Sequence, residues 1–153
     1  MGGVVVLGCS VVLIILVAPK SPILPAVKKQ LTSTLMVPAG NTKVDRDTVR
    51  YDSKQKLLIF TTEYAGKKLI VSEQPTPEQF TDIPEVYKKL IDSMGEYKTF
   101  DVNVGTVHVT RPKQLNGKQA AVLNAKGTLL FAKPESDLSD DQWQIFFNNL
   151  RVE

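Results

Sequence analysis

The sequence predicts an α+β protein: an N-terminal transmembrane helix followed by a twisted antiparallel sheet with helices packed on one face. Three observations carry that expectation. The first is a split in charge, since residues 2–18 hold no charged side chain and all 19 Lys and Arg and all 16 Asp and Glu follow them. The second is a series of short β-branched and apolar runs separated by the pairs Ala65-Gly66, Asn116-Gly117 and Lys126-Gly127, which are hairpin signals between strands. The third is two stretches in which the apolar period changes from two to three and four, the mark of an amphipathic helix. The organisation that follows is an anchor at 1–19, a juxtamembrane connector at 20–32 and an α+β domain at 33–153.

The opening stretch "VVVLGCSVVLIILVAP" (4–19) lies at the short end of the roughly 17–25 apolar residues that cross a bilayer. Its β-branched residues do not oppose a helix, because in lipid every backbone polar group must bond within the segment. A cleavable secretion signal needs a basic start and small residues before the cut. Here no Lys or Arg precedes the apolar run, and a cut after Ala18 would leave Pro19 just beyond it, so an uncleaved anchor is expected. Cys9 follows a "VLG" that resembles a lipidation box. Few apolar residues precede it and many follow, which favours an ordinary thiol in a membrane helix. The nearest basic residues, Lys20, Lys28 and Lys29, all lie on the C-terminal side of the run. Taken literally, the positive-inside rule then places the body in the cytoplasm, whereas a short basic leader ahead of the abrupt "MGGVVV" would reverse the count. All three are membrane-proximal, and Lys28 and Lys29 are the candidates for contact with anionic headgroups, worth about 1 kcal/mol each; a solvated face accounts for them equally well.

The connector "PKSPILPAVKKQL" combines three prolines with a basic cluster and suits a stiff link with one helical turn around Ala26 to Leu31. Strands are expected at "STLMVP", at "TVRYD" after the loop "AGNTKVDRD", at "KLLIFTTEY" and at "KKLIVSEQ". Alternation puts Leu58, Phe60 and Tyr64 on one face. The middle segment "QPTPEQFTDIPEVYKKLIDSMGEY" repeats Ile83, Val86, Tyr87, Leu90, Ile91 and Met94 at three and four, with Pro84 in the first turn and Gly95 as the C-terminal cap. Lys88 and Lys89 fall on its outer side. Strands return at "YKTFDVNV", "GTVHVTRP", "KQAAVLNA" and "TLLFAKP", with Asn116-Gly117 the strongest hairpin signal of all. The chain closes on "SDLSDDQWQIFFNNL", where Ser139 is an N-cap and Gln142 completes a capping box. Trp143, Phe146, Phe147 and Leu150 form one aromatic stripe expected in the core.

Chemistry is sparse. The net charge of +3 comes from scattered basic residues, whereas nucleic-acid binding calls for a basic stripe with stacking aromatics, so no nucleic-acid partner is expected. One Cys and one His exclude a Cys/His zinc site and an intrachain disulfide, and a Ser-His-Asp triad would have to be built on His108. Flanked by Val107 and Val109, His108 points away from both; with those valines in the core it faces solvent, and otherwise it is a core residue with its hydrogen bonds satisfied. "VPAGNTK" lacks phosphate-loop spacing and "NTKVDRD" lacks calcium-loop spacing. No catalytic residue, metal or cofactor is expected, and the protein reads as a non-enzyme.

The order of "TVRYDSKQKLLIF", "GKKLIVSEQ", a middle helix and "LNGKQAAVLNAKGTLLFAKPESDLSDDQWQIFFNNL" resembles a family of extracytoplasmic domains of unknown function. Such domains occur in membrane-anchored proteins and at the outer end of anti-sigma-factor-like regulators. The resemblance spans about residues 33 to 150 and is structural rather than catalytic. It implies a body outside the cytoplasm, loosely similar to the half-barrels of lipoprotein carriers and periplasmic stress regulators. The expected function is then a single-pass, non-catalytic binding domain, held to the membrane through residues 2–18 and contacting an envelope protein or peptide. The alternative is lipid or lipoprotein binding on the concave face of the sheet, in a pocket lined by Leu58, Phe60, Ile70 and Phe131.

Overall fold

The computed structural model describes residues 21–40 and 42–153. The expected anchor, with Cys9 and Lys20, lies outside them. Among the described residues no helix is long and apolar enough to cross a membrane.

The body is mostly antiparallel sheet with a few helices. Two meanders build the main sheet: β2 (Lys43–Asp52), β3 (Leu57–Tyr64) and β4 (Lys67–Pro75), then β5 (Glu96–Val102), β6 (Gly105–Thr110), β7 (Ala120–Ala125) and β8 (Thr128–Pro134). The second meander returns so that β8 lies against β4, giving the order β2-β3-β4-β8-β7-β6-β5. Two of the expected hairpins form as read. At Ala65-Gly66 and Lys126-Gly127 both turn residues have positive φ, 52° and 71° in the first and 53° and 76° in the second, the geometry whose twist matches the flanking strands. The Asn116-Gly117 pair does not form a tight hairpin. Pro112 has no N–H to extend the ladder past Thr110, and it opens instead a 3₁₀ turn at Lys113–Leu115 that Asn116 ends in the left-handed region. β6 and β7 are thus joined by a broad loop, residues 111–119.

The segment before "TVRYD" is also strand rather than loop, because β2 begins at Lys43. Its pairing with β3 breaks between Asp45 and Arg50, and the break is closed by side chains. The Thr48 hydroxyl donates to the Asp45 carbonyl at 2.7 Å and accepts from the Thr61 N–H at 2.8 Å, replacing a lost ladder bond.

Helices pack on both faces of the sheet, not on one. α4 (Asp140–Asn148), opened by the expected Ser139–Gln142 capping box, buries Trp143, Phe146 and Phe147 against Leu58, Phe60, Leu69, Val71, Val107, Val109, Leu123 and Leu130. Each such side chain contributes about 1.5–3 kcal/mol by leaving water. On the opposite face, α2 (Glu78–Asp82) and α3 (Pro84–Ser93) cross from β4 to β5, and Ile91 with Phe80, Tyr87 and Met94 packs on Val122, Leu129 and Phe131. The extended Ile83 breaks the two helices apart, as the residue before a proline is pushed out of helical geometry. β7 and β8, covered on both sides, accordingly read as near-continuous apolar runs, whereas β3 alternates buried and exposed.

The N-terminal part of the described chain packs on the α4 side. β1 (Met36–Pro38) pairs with β9 (Leu150–Val152) in a separate two-stranded sheet. The stretch read as a connector, with its turn α1 (Pro25–Lys28), inserts Ile23 into the main core at 1% exposure. It is further tied by the Tyr51 hydroxyl donating to the Gln30 carbonyl and by the Lys28–Glu153 ion pair at 2.5 Å.

Candidate functional site

Strand register places Arg50, Ile59, Ser72, Phe131, Val122, His108 and Thr99 in one row across the α3 face. α2 and α3 cover only the β5 to β8 half of it. The remaining half, on β3 and β4, leaves Ile59 36% and Ile70 45% exposed. At the end of that bare half the 111–119 loop stands over β4 and β8 and closes a groove of about 510 Å³. Thr61, Ile70 and Lys133 lie in one cross-strand row of the lining, Lys68 and Glu135 lie toward the strand ends, and Gln114, Leu115 and Lys118 come from the loop. The loop is held up from outside the groove. The Arg111 guanidinium donates to the Gly117 carbonyl, pairs with Asp137 at 2.6 Å and stacks over the Tyr97 ring.

The four residues expected to line an apolar pocket are divided by the pleat. Leu58 and Phe60 point to the α4 side and are enclosed in the core, while Ile70 and Phe131 point to the α3 side. Phe131 is partly covered by α3, so of the four only Ile70 reaches the groove. A strand's own alternation separates Phe60 from residues 59 and 61, but the partner residue across the ladder decides the rest: Phe60 sits opposite Val71, and Ile70 opposite Thr61. Of the basic candidates, Lys29 is exposed and Lys28 is engaged by Glu153. Burial pushes the Glu153 carboxyl up, but its bonds to Lys28, Ser21 and Arg151 outweigh this and hold it below its ordinary value.

A second cleft, of about 320 Å³, lies under α3 between Tyr87, Ile91, Glu96, Thr99 and His108. Val107 and Val109 do face the main core, yet His108 is half-buried rather than solvated, because α3 covers its face. Its Nδ1 lies 2.5 Å from Glu96 Oε1, and the Tyr87 ring meets it edge-on at 5.8 Å. A β-bulge between Glu96 and Lys98 makes the cluster possible: the extra residue turns Glu96 and Thr99, three apart, to the same face. Burial raises the Glu96 carboxyl, but hydrogen bonds from Thr99 and His108 together outweigh it and lower the value. Tyr87 is pushed up to about 12 by burial and by the Glu96 charge, so its phenol stays protonated and is a poor nucleophile. Carboxylate and imidazole could form a base, but among the described residues lining the cleft the hydroxyls are this phenol and a Thr99 already bonded to Glu96. Among the described residues no group of three or more His, Cys, Asp and Glu is placed to hold a metal ion.

Sequence reading passed over one further residue. Glu73, in the "SEQ" of β4, is 3% exposed on the α4 side. Its Oε2 accepts the Met36 N–H at 3.1 Å and its Oε1 is buried without a partner among the described residues. Burial pushes this carboxyl up to about 8, against a smaller lowering by the Met36 bond. A carboxylate at an inward-facing strand position, between Val71 and Pro75 in an alternating run, was the available signal.

Compared with family models, with curated proteins and with solved structures, the chain finds no match in any of the three.

Proposed function

We propose that this chain is a single-pass, membrane-anchored and non-catalytic binding domain, with its body outside the cytoplasm, that holds an extended protein segment or peptide on the bare half of its sheet. The observation that carries the reading is the groove over Ile70: an exposed apolar floor on rigid strands, walled by a braced loop. Ligand sites are concave, with an apolar surface and a few placed polar groups, and this groove has that composition. The anchor rests on the charge-free stretch 2–18, and the outer location on the resemblance of the strand and helix order. The four residues named for the lipid alternative do not share one surface, because Leu58 and Phe60 are enclosed while Ile70 faces the other way.

Selection of a displayed random-peptide library on the immobilised full chain, against the Ile70→Asp variant, tests binding. Peptides enriched on the wild type and lost on the variant support the reading; no enrichment overturns it. An epitope after Glu153 tests location: removal by protease in intact cells, or in spheroplasts where an outer barrier exists, places the body outside. Protection in spheroplasts sinks that part.

A further inference from the structure

The charges around the groove point to one class of occupant. Lys68, Lys118 and Lys133 ring the apolar floor, all exposed, and none is in an ion pair among the described residues. The single acidic group in the lining, Glu135, is occupied in part by accepting the Lys68 backbone N–H at 3.2 Å. Outside the lining, Glu63 stands opposite Lys68 across the β3–β4 ladder. Lys67 donates to the Asp137 carbonyl, and Asp137 pairs with Arg111. Three lysines therefore line a site that also exposes Ile70, with Leu115 half-buried beside it. We propose that the groove binds an acidic peptide segment of a partner protein, with an apolar side chain seated on Ile70 and flanking Asp or Glu carboxylates reaching Lys68, Lys118 and Lys133. This rests on the binding-domain reading above and names the chemistry of its partner.

The two parts of the ligand have separate duties. Ammonium–carboxylate pairs at an exposed rim contribute a few-fold in affinity each, and they act mainly on partner choice and association rate. The apolar contact at the floor excludes water and supplies the larger share of binding. Binding should therefore weaken as ionic strength rises and the Debye length falls below about 10 Å, but a residual, salt-insensitive part should remain.

The test uses the full chain in phosphatidylcholine nanodiscs and fluorescence anisotropy of three labelled synthetic peptides: a Leu-centred peptide flanked by Glu and Asp, the same peptide with Lys in place of the acids, and the acidic peptide with Gly in place of Leu. The expected result is salt-dependent binding of the first alone, reduced about tenfold by Lys68→Glu with Lys133→Glu and abolished by Ile70→Asp, with unchanged melting of each variant. Equal binding of the acidic and basic peptides would overturn the acidic partner while leaving a peptide-binding domain. Failure of all three, with no enrichment from the random library, would overturn both. If the charge-reversed variant loses only attachment to phosphatidylglycerol vesicles, and the acidic peptide does not bind, the lysines serve a lipid surface and the proposal is wrong. Acid-independent self-association, lost in Ile70→Asp, would equally replace the peptide by a second copy.

Discussion

Glu73 shows how much one inward-facing polar residue can set. Its carboxyl holds the β1 strand through the Met36 N–H, yet its second oxygen has no partner among the described residues, so the charged form is disfavoured where it stands. Because the folded value, about 8, lies above the ordinary 4.5, its stabilising effect is complete below pH 4.5 and is lost as pH rises through 8. The shift caps the loss at roughly 5 kcal/mol. Urea denaturation should thus show wild-type stability falling between pH 5 and 8.5, while Glu73→Gln removes that slope and is the more stable of the two at pH 8; parallel curves would exclude the mechanism. Gln119 is the opposite case, a buried amide with its needs met. Its Oε1 accepts from the Leu138 N–H and the Trp143 indole, and its Nε2 donates to the Leu138 carbonyl and the Tyr97 hydroxyl. Gln119→Leu strands these groups at 4% exposure and should cost about 2–4 kcal/mol, read from the urea midpoint at constant m-value. Neither residue stood out in the sequence, since a lone Glu or Gln reveals its burial only through what lies over it.

At the scale of elements, local chemistry was readable where a motif closes on itself. The Ser139–Gln142 box, the Pro84 start and the Gly95 stop of α3, and the two X-Gly hairpins all form within a few residues of chain. The β3–β4 turn retains a defect, because Ala65 holds φ 52° in a left-handed region that Asn tolerates better. Ala65→Asn should raise stability by about 0.5–1 kcal/mol, seen as a higher melting temperature; a drop would mean the Ala65 side chain has a contact that the turn geometry does not require. The Asn116-Gly117 pair carried the same local signal and yielded a broad loop, because Pro112 ended β6 before a tight return could form. That loop became a wall of the groove over Ile70. A turn dipeptide thus specifies a turn, but the strand termini around it decide how far apart the strands are joined.

For the whole molecule, the segment 21–32 is the element whose role packing changed most. Composition marked it as a connector, and its prolines still stiffen it, but Ile23 lies in the main core and Lys28 pairs with Glu153 at the far end of the chain. A chain beginning at residue 33 should therefore be less stable than one beginning at 21 by about 1.5–3 kcal/mol, the burial of one Ile, in a urea titration; equal stabilities would restore the free connector. The sequence by itself determined the class of fold, most strands, both principal helices with their caps, and the aromatic stripe of α4, because alternation, helical period and capping are properties of neighbouring residues. Only the tertiary structure decided that helices cover both faces, that Phe60 and Ile70 part company, that a bulge gathers Glu96, Thr99 and His108, and that Glu73 is buried. Each of these depends on which strand lies beside which and on what is laid over the sheet. Such pairings join residues far apart in the chain, and no local pattern encodes them.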